Sequence, residues 1–151
     1  MNLRRLQGLL TLFALGCFTI GATPAGPMTP VTRFSDAFNK GDEKTLLAQC
    51  DTMTGIIDDF PPHAWMSCQK WYAAYLAFFK QDGDADAVVT AGTPTHVNVT
   101  GDVAYIVVPV TLRFKHKGKL VTQTGSTWTL VVRNTRSGWL ITAWAWADGK
   151  S

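Results

Sequence analysis

Asp58 has the surroundings that acid-base chemistry requires. It ends a hydrophobic segment, residues 55–57, and a Phe-Pro-Pro sequence at 60–62 is expected to limit its contact with water. Loss of solvation raises the pKa of a carboxyl group, and a raised pKa makes the carboxylate a competent base near neutral pH. We therefore predict Asp58 as a catalytic residue. His63 follows the two prolines and is predicted to act beside it as an acid, a base or a ligand-binding group.

Both residues also have ordinary structural explanations. Carboxylates at the end of a strand, here Asp58 and Asp59, often accept hydrogen bonds from the backbone amides of the following turn. A histidine beside a proline is equally common where a helix begins, which suits His63. The sequence leaves catalytic and structural roles open for these residues, and it does not decide whether the protein is an enzyme.

Aromatic residues form the second group with functional potential. A pocket for a small apolar molecule needs mostly hydrophobic walls and few polar groups. The predicted ligand-binding residues are Trp65, Trp71, Tyr72, Tyr75, Phe79, Tyr105, Trp128 and Trp144. In an alternative interpretation these residues form the core. The face that Trp144 shares with Trp146 would then suit pairing of two copies of the chain in a homodimer.

Other chemistries have no support in the sequence. No GxSxG motif occurs, and no serine or cysteine has an evident histidine base, which argues against nucleophilic catalysis. His96 and His116 do not repeat at the spacing of metal ligands, so neither a metal nor a cofactor is predicted. Cys50 and Cys68 are expected to pair as a disulfide in an oxidising compartment, provided that the intervening strand brings their Cα atoms close enough.

The first 25 residues have the organisation of a secretory signal peptide. Arg4 and Arg5 precede an apolar run, residues 9–20, and small residues follow. The run is shorter than the roughly 20 apolar residues that a spanning helix needs. We therefore predict cleavage and a secreted or periplasmic protein with no membrane contact afterwards. Lipidation of Cys17 as a lipoprotein is the alternative.

Residues 31–149 are predicted to form one domain, preceded by a linker at 26–30. The chain has 151 residues, of which 46% are hydrophobic and 17% are charged, so it can fill a core and intrinsic disorder is not expected. Without Arg4 and Arg5, 12 basic residues face 11 acidic ones and the net charge falls to +1. Nucleic acid binding needs clustered positive charge, so no nucleic acid partner is expected.

Helical patterns come first along the domain, and strands come last. Apolar spacing predicts helices over residues 31–40, 42–48 and 64–80. A brief strand is predicted over 53–58, and alternating patterns after residue 87 predict five more. This order predicts an α+β fold in which a curved antiparallel sheet surrounds the long, mostly apolar third helix. Pro109, inside the strand predicted over 103–114, indicates a bulge or an edge position.

Three segments match a pattern known from one protein family. Residues 33–47 contain two short helices joined by a Gly-Asp pair, residues 57–65 have the sequence IDDFPPHAW, and residues 138–144 have the sequence GWLITAW. These segments resemble the nuclear transport factor 2-like superfamily, in particular a secreted subgroup of its SnoaL-like bacterial members. The resemblance covers roughly residues 31–147. It implies a cone-shaped fold with N-terminal helices and a pocket at the open end.

The resemblance also bears on Asp58. Counted without gaps from Phe34, Asp58 falls where the ketosteroid isomerases of this superfamily carry their proton-shuttling aspartate. The positions that correspond to the isomerase's tyrosine and second carboxylic acid are Phe34 and Leu130, and neither side chain can donate a hydrogen bond to an enolate. The superfamily contains isomerases, cyclases, dehydratases and non-catalytic domains, so the fold does not settle the function.

Three functions follow from these observations. The first is a secreted domain that binds a small apolar molecule in an aromatic pocket. The second is an acid-base enzyme, such as a dehydratase, cyclase or isomerase, with Asp58 as the base and His63 or Tyr105 as the proton donor. The third is a non-catalytic dimerisation module without a functional pocket.

Overall fold

The structure, a computed structural model, describes residues 25–150. The predicted cleavage region before Ala25 and the alternative lipidation site, Cys17, lie outside these residues. The elements are α1 (Thr29–Lys40), α2 (Glu43–Leu47), β1 (Cys50–Ile57), β2 (Ala64–Trp65), α3 (Cys68–Asp82), β3 (Asp84–Ala91), β4 (His96–Thr100), β5 (Val103–His116), β6 (Lys119–Thr135) and β7 (Gly138–Ala147). Within residues 25–150, none of the helices is both long and apolar enough to cross a membrane.

The helices begin and end where the sequence supplies caps. α1 starts at Thr29, inside the predicted linker, because the proline that follows suits a first helical turn. It ends at Gly41, whose φ of 65° a residue with a Cβ adopts only with strain. The side chain of Asp42 caps α2, and that of Ser67 caps α3. These local signals fix the ends of α1 and α3, the two helices that contribute side chains to the cavity.

α3 differs from its prediction at the N-terminal end. Ala64 and Trp65 pair with the end of β1 as strand β2, so the helix begins at Cys68 and not at residue 64. Apolar spacing alone does not separate a short buried strand from the first turn of a helix. The helix is also not enclosed on all sides, because Leu76 is exposed.

The strands form one mixed sheet of seven strands in the order β2-β1-β7-β6-β5-β3, with β4 also paired to β5. The pairing is antiparallel except between β1 and β7, which are parallel. The register of β5 with β6 shifts between Val110 and Leu112, beside Pro109. The extra residue lies in β6, because two residues separate Gln123 from Ser126 but only one separates Val110 from Leu112. It bends the sheet close to Pro109, but the bulge predicted at the proline itself is not found, since Pro109 pairs in regular register with Thr127.

Alternation along β5 and β6 separates the inner face of the sheet from the outer face. The buried inner residues include Ala104, Ile106, Val108, Trp128, Leu130 and Val132. The helices lie on this face, since the rings of Phe34 in α1 and Trp71 in α3 lie 5.3 and 5.0 Å from that of Trp144 in β7. The predicted α+β architecture, with a bent sheet around the helical layer, is confirmed.

Cys50 and Cys68 form a disulfide, and their Cα atoms lie 6.4 Å apart. Cys50 is the first residue of β1 and Cys68 is the first residue of α3. The bond therefore joins a strand to the long helix. The loop that the disulfide closes contains Asp58 and the turn that follows it.

Candidate functional site

A cavity of about 390 Å³ lies between the helical layer and the inner face of the sheet. Its most deeply buried walls are the rings of Phe34, Trp71, Trp128 and Trp144. These rings pack edge-on or tilted, with centroids 5.4 Å apart for Phe34 and Trp128 and 5.0 Å apart for Trp71 and Trp144. Such packing holds the rings in place, and the volume lies within the range of small-molecule pockets.

The structure brings six of the predicted site residues to this cavity. They are Asp58, Trp71, Tyr75, Phe79, Trp128 and Trp144. The three aromatic residues of α3 lie one helical turn apart and therefore share a face. The other two tryptophans point inward from β6 and β7, and the aspartate follows the last residue of β1. Three helix positions and three strand positions thus meet around one volume.

Tyr105, Trp65 and Tyr72 do not line the cavity, contrary to the sequence prediction. Tyr105 is 44% exposed, because strand alternation places it on the outer face of β5. Trp65 belongs to β2, and its ring packs at 4.6 Å on that of Phe60. Tyr72 is buried toward α1, with its ring 6.5 Å from that of Phe38. The last two residues belong to the core.

His63 lies beside Asp58 but is not part of the cavity wall. The residue is exposed. Its Nδ1 lies 3.2 Å from the backbone carbonyl oxygen of Asp58, so the contact is with the backbone and not with the carboxylate. The ring therefore contacts the turn that follows β1. From this position it does not reach a molecule inside the cavity directly, and the predicted role as a proton donor has no support in the geometry.

Asp58 is partly buried in the cavity wall and accepts two hydrogen bonds. Its Oδ2 accepts one from Nε1 of Trp71 at 2.7 Å, and its Oδ1 accepts one from the backbone N–H of Asp59 at 2.9 Å. Burial raises the pKa of the Asp58 carboxyl, and the hydrogen bonds, which favour the charged form, hold the rise back. Asp58 is thus an oriented base with a raised pKa.

Asp59 and Asp148 form a hydrogen-bonded carboxyl pair next to Asp58. Burial and the neighbouring carboxyl groups raise the pKa of Asp59 to about 8. Burial opposes ionisation of Asp148 as well, but hydrogen bonds from Asp59, Trp146 and Gln123 outweigh it and lower the pKa of Asp148. A raised pKa at Asp59 beside a lowered pKa at Asp148 favours one proton held by Asp59 and shared with the Asp148 carboxylate.

The parallel pairing of β1 and β7 explains why these carboxyl groups meet. Ile57, the last residue of β1, lies opposite Ala145 near the end of β7. Because paired parallel strands end at the same edge of a sheet, the residues that follow them are neighbours. Trp146 orients the Asp148 carboxylate, since its Nε1 donates to Oδ1 of Asp148 at 2.8 Å.

Two hydrogen-bond donors in the cavity wall have no partner among the described residues. They are the hydroxyl of Tyr75 and Nε1 of Trp128, and the two residues are only 9% and 3% exposed. Burial raises the pKa of Tyr75 well above its usual value, so the hydroxyl keeps its proton. A buried donor without a partner costs about 1–3 kcal/mol. Both residues line the cavity while the two atoms are themselves enclosed, so a small side-chain movement would bring each donor to an acceptor on a bound molecule.

A second polar group lines the cavity at the opposite edge of the sheet. His116, at the end of β5, places Nδ1 2.7 Å from Oδ1 of Asp84 and 3.7 Å from Oδ2 of Asp82. We call this group the β3 side of the cavity. The group formed by Asp58, Asp59 and Asp148 is the β1 side.

Sequence reasoning missed most of the polar residues of the site. Asp148 follows the last strand, and only the pairing of β7 with β1 indicates its proximity to Asp58. Asp84 and His116 meet only through the pairing of β3 with β5, which no local pattern indicates. A signal for Asp59 was available, because it directly follows the predicted base.

No protein-family model and no curated protein matches the chain. Solved structures do. A ketosteroid isomerase-like protein from Erwinia carotovora atroseptica has a TM-score of 0.65 at 15% identity, over 81% of this chain and 92% of that one. A candidate dehydratase of the nuclear transport factor 2-like family from Streptomyces avermitilis has a TM-score of 0.65 at 19% identity, with the same coverage.

A nuclear transport factor 2-like superfamily protein from Salmonella enterica serovar Typhimurium has a TM-score of 0.66 at 13% identity, over 81% of this chain and 87% of that one. Identities this low carry no information on activity, but the similarity extends over most of each chain. It also agrees with the element order, the bent mixed sheet and the cavity between sheet and helices. The protein has the nuclear transport factor 2-like fold.

Proposed function

We propose that the protein binds a small, mostly apolar molecule in the aromatic cavity and that Tyr75 and Trp128 hold an acceptor group of that molecule. The observation that carries this proposal is the pair of buried donors without partners. Aromatic walls gain free energy when they exclude water, but they do not orient a ligand. A carbonyl oxygen that accepts from either donor would remove the cost of leaving that donor unpaired.

A matched pair of probes tests this proposal. 2-Acetylnaphthalene and 2-isopropenylnaphthalene differ only in that a CH₂ group replaces the carbonyl oxygen, and tryptophan fluorescence reports their binding. We expect the ketone to bind more tightly. Tyr75→Phe should weaken the ketone by about 1 kcal/mol, roughly fivefold, without affecting the hydrocarbon. Tyr105→Phe, on the outer face, is the control. Equal affinity of both probes for the protein and its Tyr75→Phe variant would contradict the proposal.

Acid-base catalysis is a second candidate, and the carboxyl groups of the β1 side favour it. Asp58 is oriented by Trp71, has a raised pKa and lines the same cavity as the two donors. As a base it would take a proton from a carbon next to the ligand's carbonyl group. Tyr75 or Trp128 would stabilise the charge that develops on the oxygen. Tyr75 and Trp128 would thus take the place of the tyrosine and the second carboxylic acid of the ketosteroid isomerases, whose positions are occupied here by Phe34 and Leu130.

Exchange of the methyl protons of 2-acetylnaphthalene for deuterium separates the enzyme from the binding protein. In D₂O, an enzyme would catalyse this exchange, and NMR would follow it without knowledge of the natural substrate. Asp58→Asn should lower the catalysed rate by about 10²–10⁴-fold while the ketone still binds. Asp36→Asn, an exposed change outside the cavity, is the control. Binding without exchange above the background rate would leave the protein as a binder only.

The predicted signal peptide and the disulfide both support a function outside the cytoplasm, in the periplasm or the medium. The dimerisation module has less support than the other two functions. Trp144 and Trp146 line the cavity, so the face that they share is not free on the outer surface of the sheet. A homodimer formed through other residues stays a prediction.

A further inference from the structure

The β3 side of the cavity is built by long-range strand pairing. Asp84 is the first residue of β3 and lies directly opposite His116 of β5 in the antiparallel register. Asp82 is the last residue of α3, two positions earlier in the chain. One oxygen from each aspartate and Nδ1 of the histidine all lie within 4.8 Å of one another. An imidazole and two carboxylates thus converge on one point.

The distances between the donor atoms suit a single metal ion. Zn²⁺ binds imidazole nitrogen and carboxylate oxygen at about 2.0–2.2 Å, which places the donor atoms of one tetrahedral site roughly 3.3–3.6 Å apart. Nδ1 of His116 lies 2.7 Å from Asp84 and 3.7 Å from Asp82. Small side-chain adjustments would make these distances equal. The side chain of Asp82 is exposed and can therefore make the largest adjustment.

The charges of the β3 side also favour a cation. The side chain of Asp84 is only 7% exposed, and an ionised carboxylate so far from water needs a compensating charge. In residues 25–150, neither Asp82 nor Asp84 forms an ion pair with a lysine or arginine. The nearby Lys115 pairs with Asp86 at 2.7 Å. With a neutral imidazole, the group carries two negative charges and no cation.

A second observation indicates that a ligand belongs at this place. Tyr75, whose buried hydroxyl has no partner, lines the same cavity as these three residues. A metal with three protein ligands keeps an open coordination position. That position would face the cavity, where a ligand oxygen bound to the metal could also accept from Tyr75.

We propose that Asp82, Asp84 and His116 bind one divalent transition-metal ion, with Zn²⁺ as the best fit, at the β3 side of the cavity. The ion takes the place of the proton between Nδ1 of His116 and Asp84, and in a neutral imidazole that proton moves to Nε2, so binding to the neutral ring releases no proton. Mixed nitrogen and oxygen ligands favour zinc over magnesium or calcium, which prefer oxygen alone. The proposal shares Tyr75 with the one for the acceptor group, and the metal titrations test it separately.

Metal titrations of the untagged, chelator-treated protein test the site. Calorimetry with Zn²⁺ gives the stoichiometry, and visible absorption with Co²⁺ reports whether an ion enters a tetrahedral site with nitrogen and oxygen ligands. We expect one equivalent of each ion. Asp84→Asn and His116→Gln should each weaken binding by about tenfold or more. Asp86→Asn, which removes an acid from the same strand, and His96→Gln, which removes an exposed imidazole, should bind as the unaltered protein does.

Two results would overturn the site. One is the absence of stoichiometric Zn²⁺ or Co²⁺ binding at millimolar metal. The other is binding that persists unchanged in both Asp84→Asn and His116→Gln, which would locate the ion elsewhere. Circular dichroism identifies a variant that fails to fold. In that case the remaining variant and the Co²⁺ spectrum of the unaltered protein decide between a metal site and a hydrogen-bonded pair that only closes the β3–β5 ladder.

Discussion

Three aspartates lie together on the β1 side of the cavity, whereas on the β3 side two aspartates lie beside a histidine. On the β1 side, the raised pKa of Asp59 beside the lowered pKa of Asp148 favours a shared proton, which would relieve the repulsion between the carboxylates. On the β3 side, Nδ1 of His116 faces the carboxylates instead. Acidic groups of similar size thus use two means of compensation: a proton where carboxyl meets carboxyl, and a basic nitrogen or a cation where an imidazole is within reach.

The two sides also depend on different parts of the fold. Asp58 and Asp59 lie within the loop that the Cys50–Cys68 disulfide closes. Asp84 and His116 depend on the backbone pairing of β3 with β5. A change that loosens one side should therefore leave the other nearly intact, and this allows the comparison to be tested.

Removal of the disulfide should have the largest effect on stability. Closing a loop with a sequence separation of 18 contributes about 3 kcal/mol in the chain-entropy model, so the Cys50→Ala/Cys68→Ala variant should lose about that much free energy of unfolding in urea. Amide hydrogen exchange should rise more in residues 58–63 than in β3 and β5. Unaltered protein treated with a reductant is the control. Equal increases on both sides would show that the disulfide does not support the β1 side selectively.

Zinc should stabilise the β3 side by a slightly smaller amount. A ligand that binds only the folded state at 100 times its Kd adds about 2.7 kcal/mol to the free energy of unfolding. Thermal unfolding with and without Zn²⁺ should therefore show a higher Tm for the unaltered protein and for Asp59→Asn. Asp84→Asn should show no increase. If Asp59→Asn abolished the increase as well, the two sides would not be independent.

Local sequence patterns predicted the aromatic part of the site better than its polar part. Tyr75 and Phe79 follow from helical spacing, and Asp58 follows from the hydrophobic strand before it. Trp65 was misplaced because a two-residue strand has no periodicity of its own. Tyr105 was assigned to the pocket although it alternates with buried neighbours, and that alternation was visible in the sequence.

The pairs of polar residues could not be predicted, because each depends on contacts between distant segments. Asp84 meets His116 through the register of β3 with β5, and this register includes a shift between Ala85 and Val88. A one-residue error in register would turn every side chain to the other face. The spacing of histidines along the chain, which predicted no metal, does not include such contacts.

The smallest expected effect is the pH dependence of the β1 side, and it has a definite sign. The pKa of Asp59 rises from 3.8 in the unfolded chain to about 8 in the folded protein, so between these values the folded state binds more protons. Stability from Asp59 is therefore complete below pH 4 and is lost as the pH rises through 8. The pKa of Asp148 is lowered, so Asp148 stays ionised above pH 5 and contributes no change in this range.

Asp59→Asn keeps a hydrogen-bond donor and removes the titration. Asp59 lines the cavity, but much of its surface stays open to water, which screens its charge. We therefore expect the variant to match the unaltered protein at pH 5 and to exceed its free energy of unfolding by only about 1 kcal/mol at pH 9. Denaturation in urea at both pH values measures the difference. For the control Asp36→Asn, the difference in free energy of unfolding from the unaltered protein should be the same at pH 5 and at pH 9. An Asp59→Asn variant that is less stable than the unaltered protein at pH 9 would mean that folding does not raise the pKa of Asp59, and the contrast between a retained proton and a cation would fail.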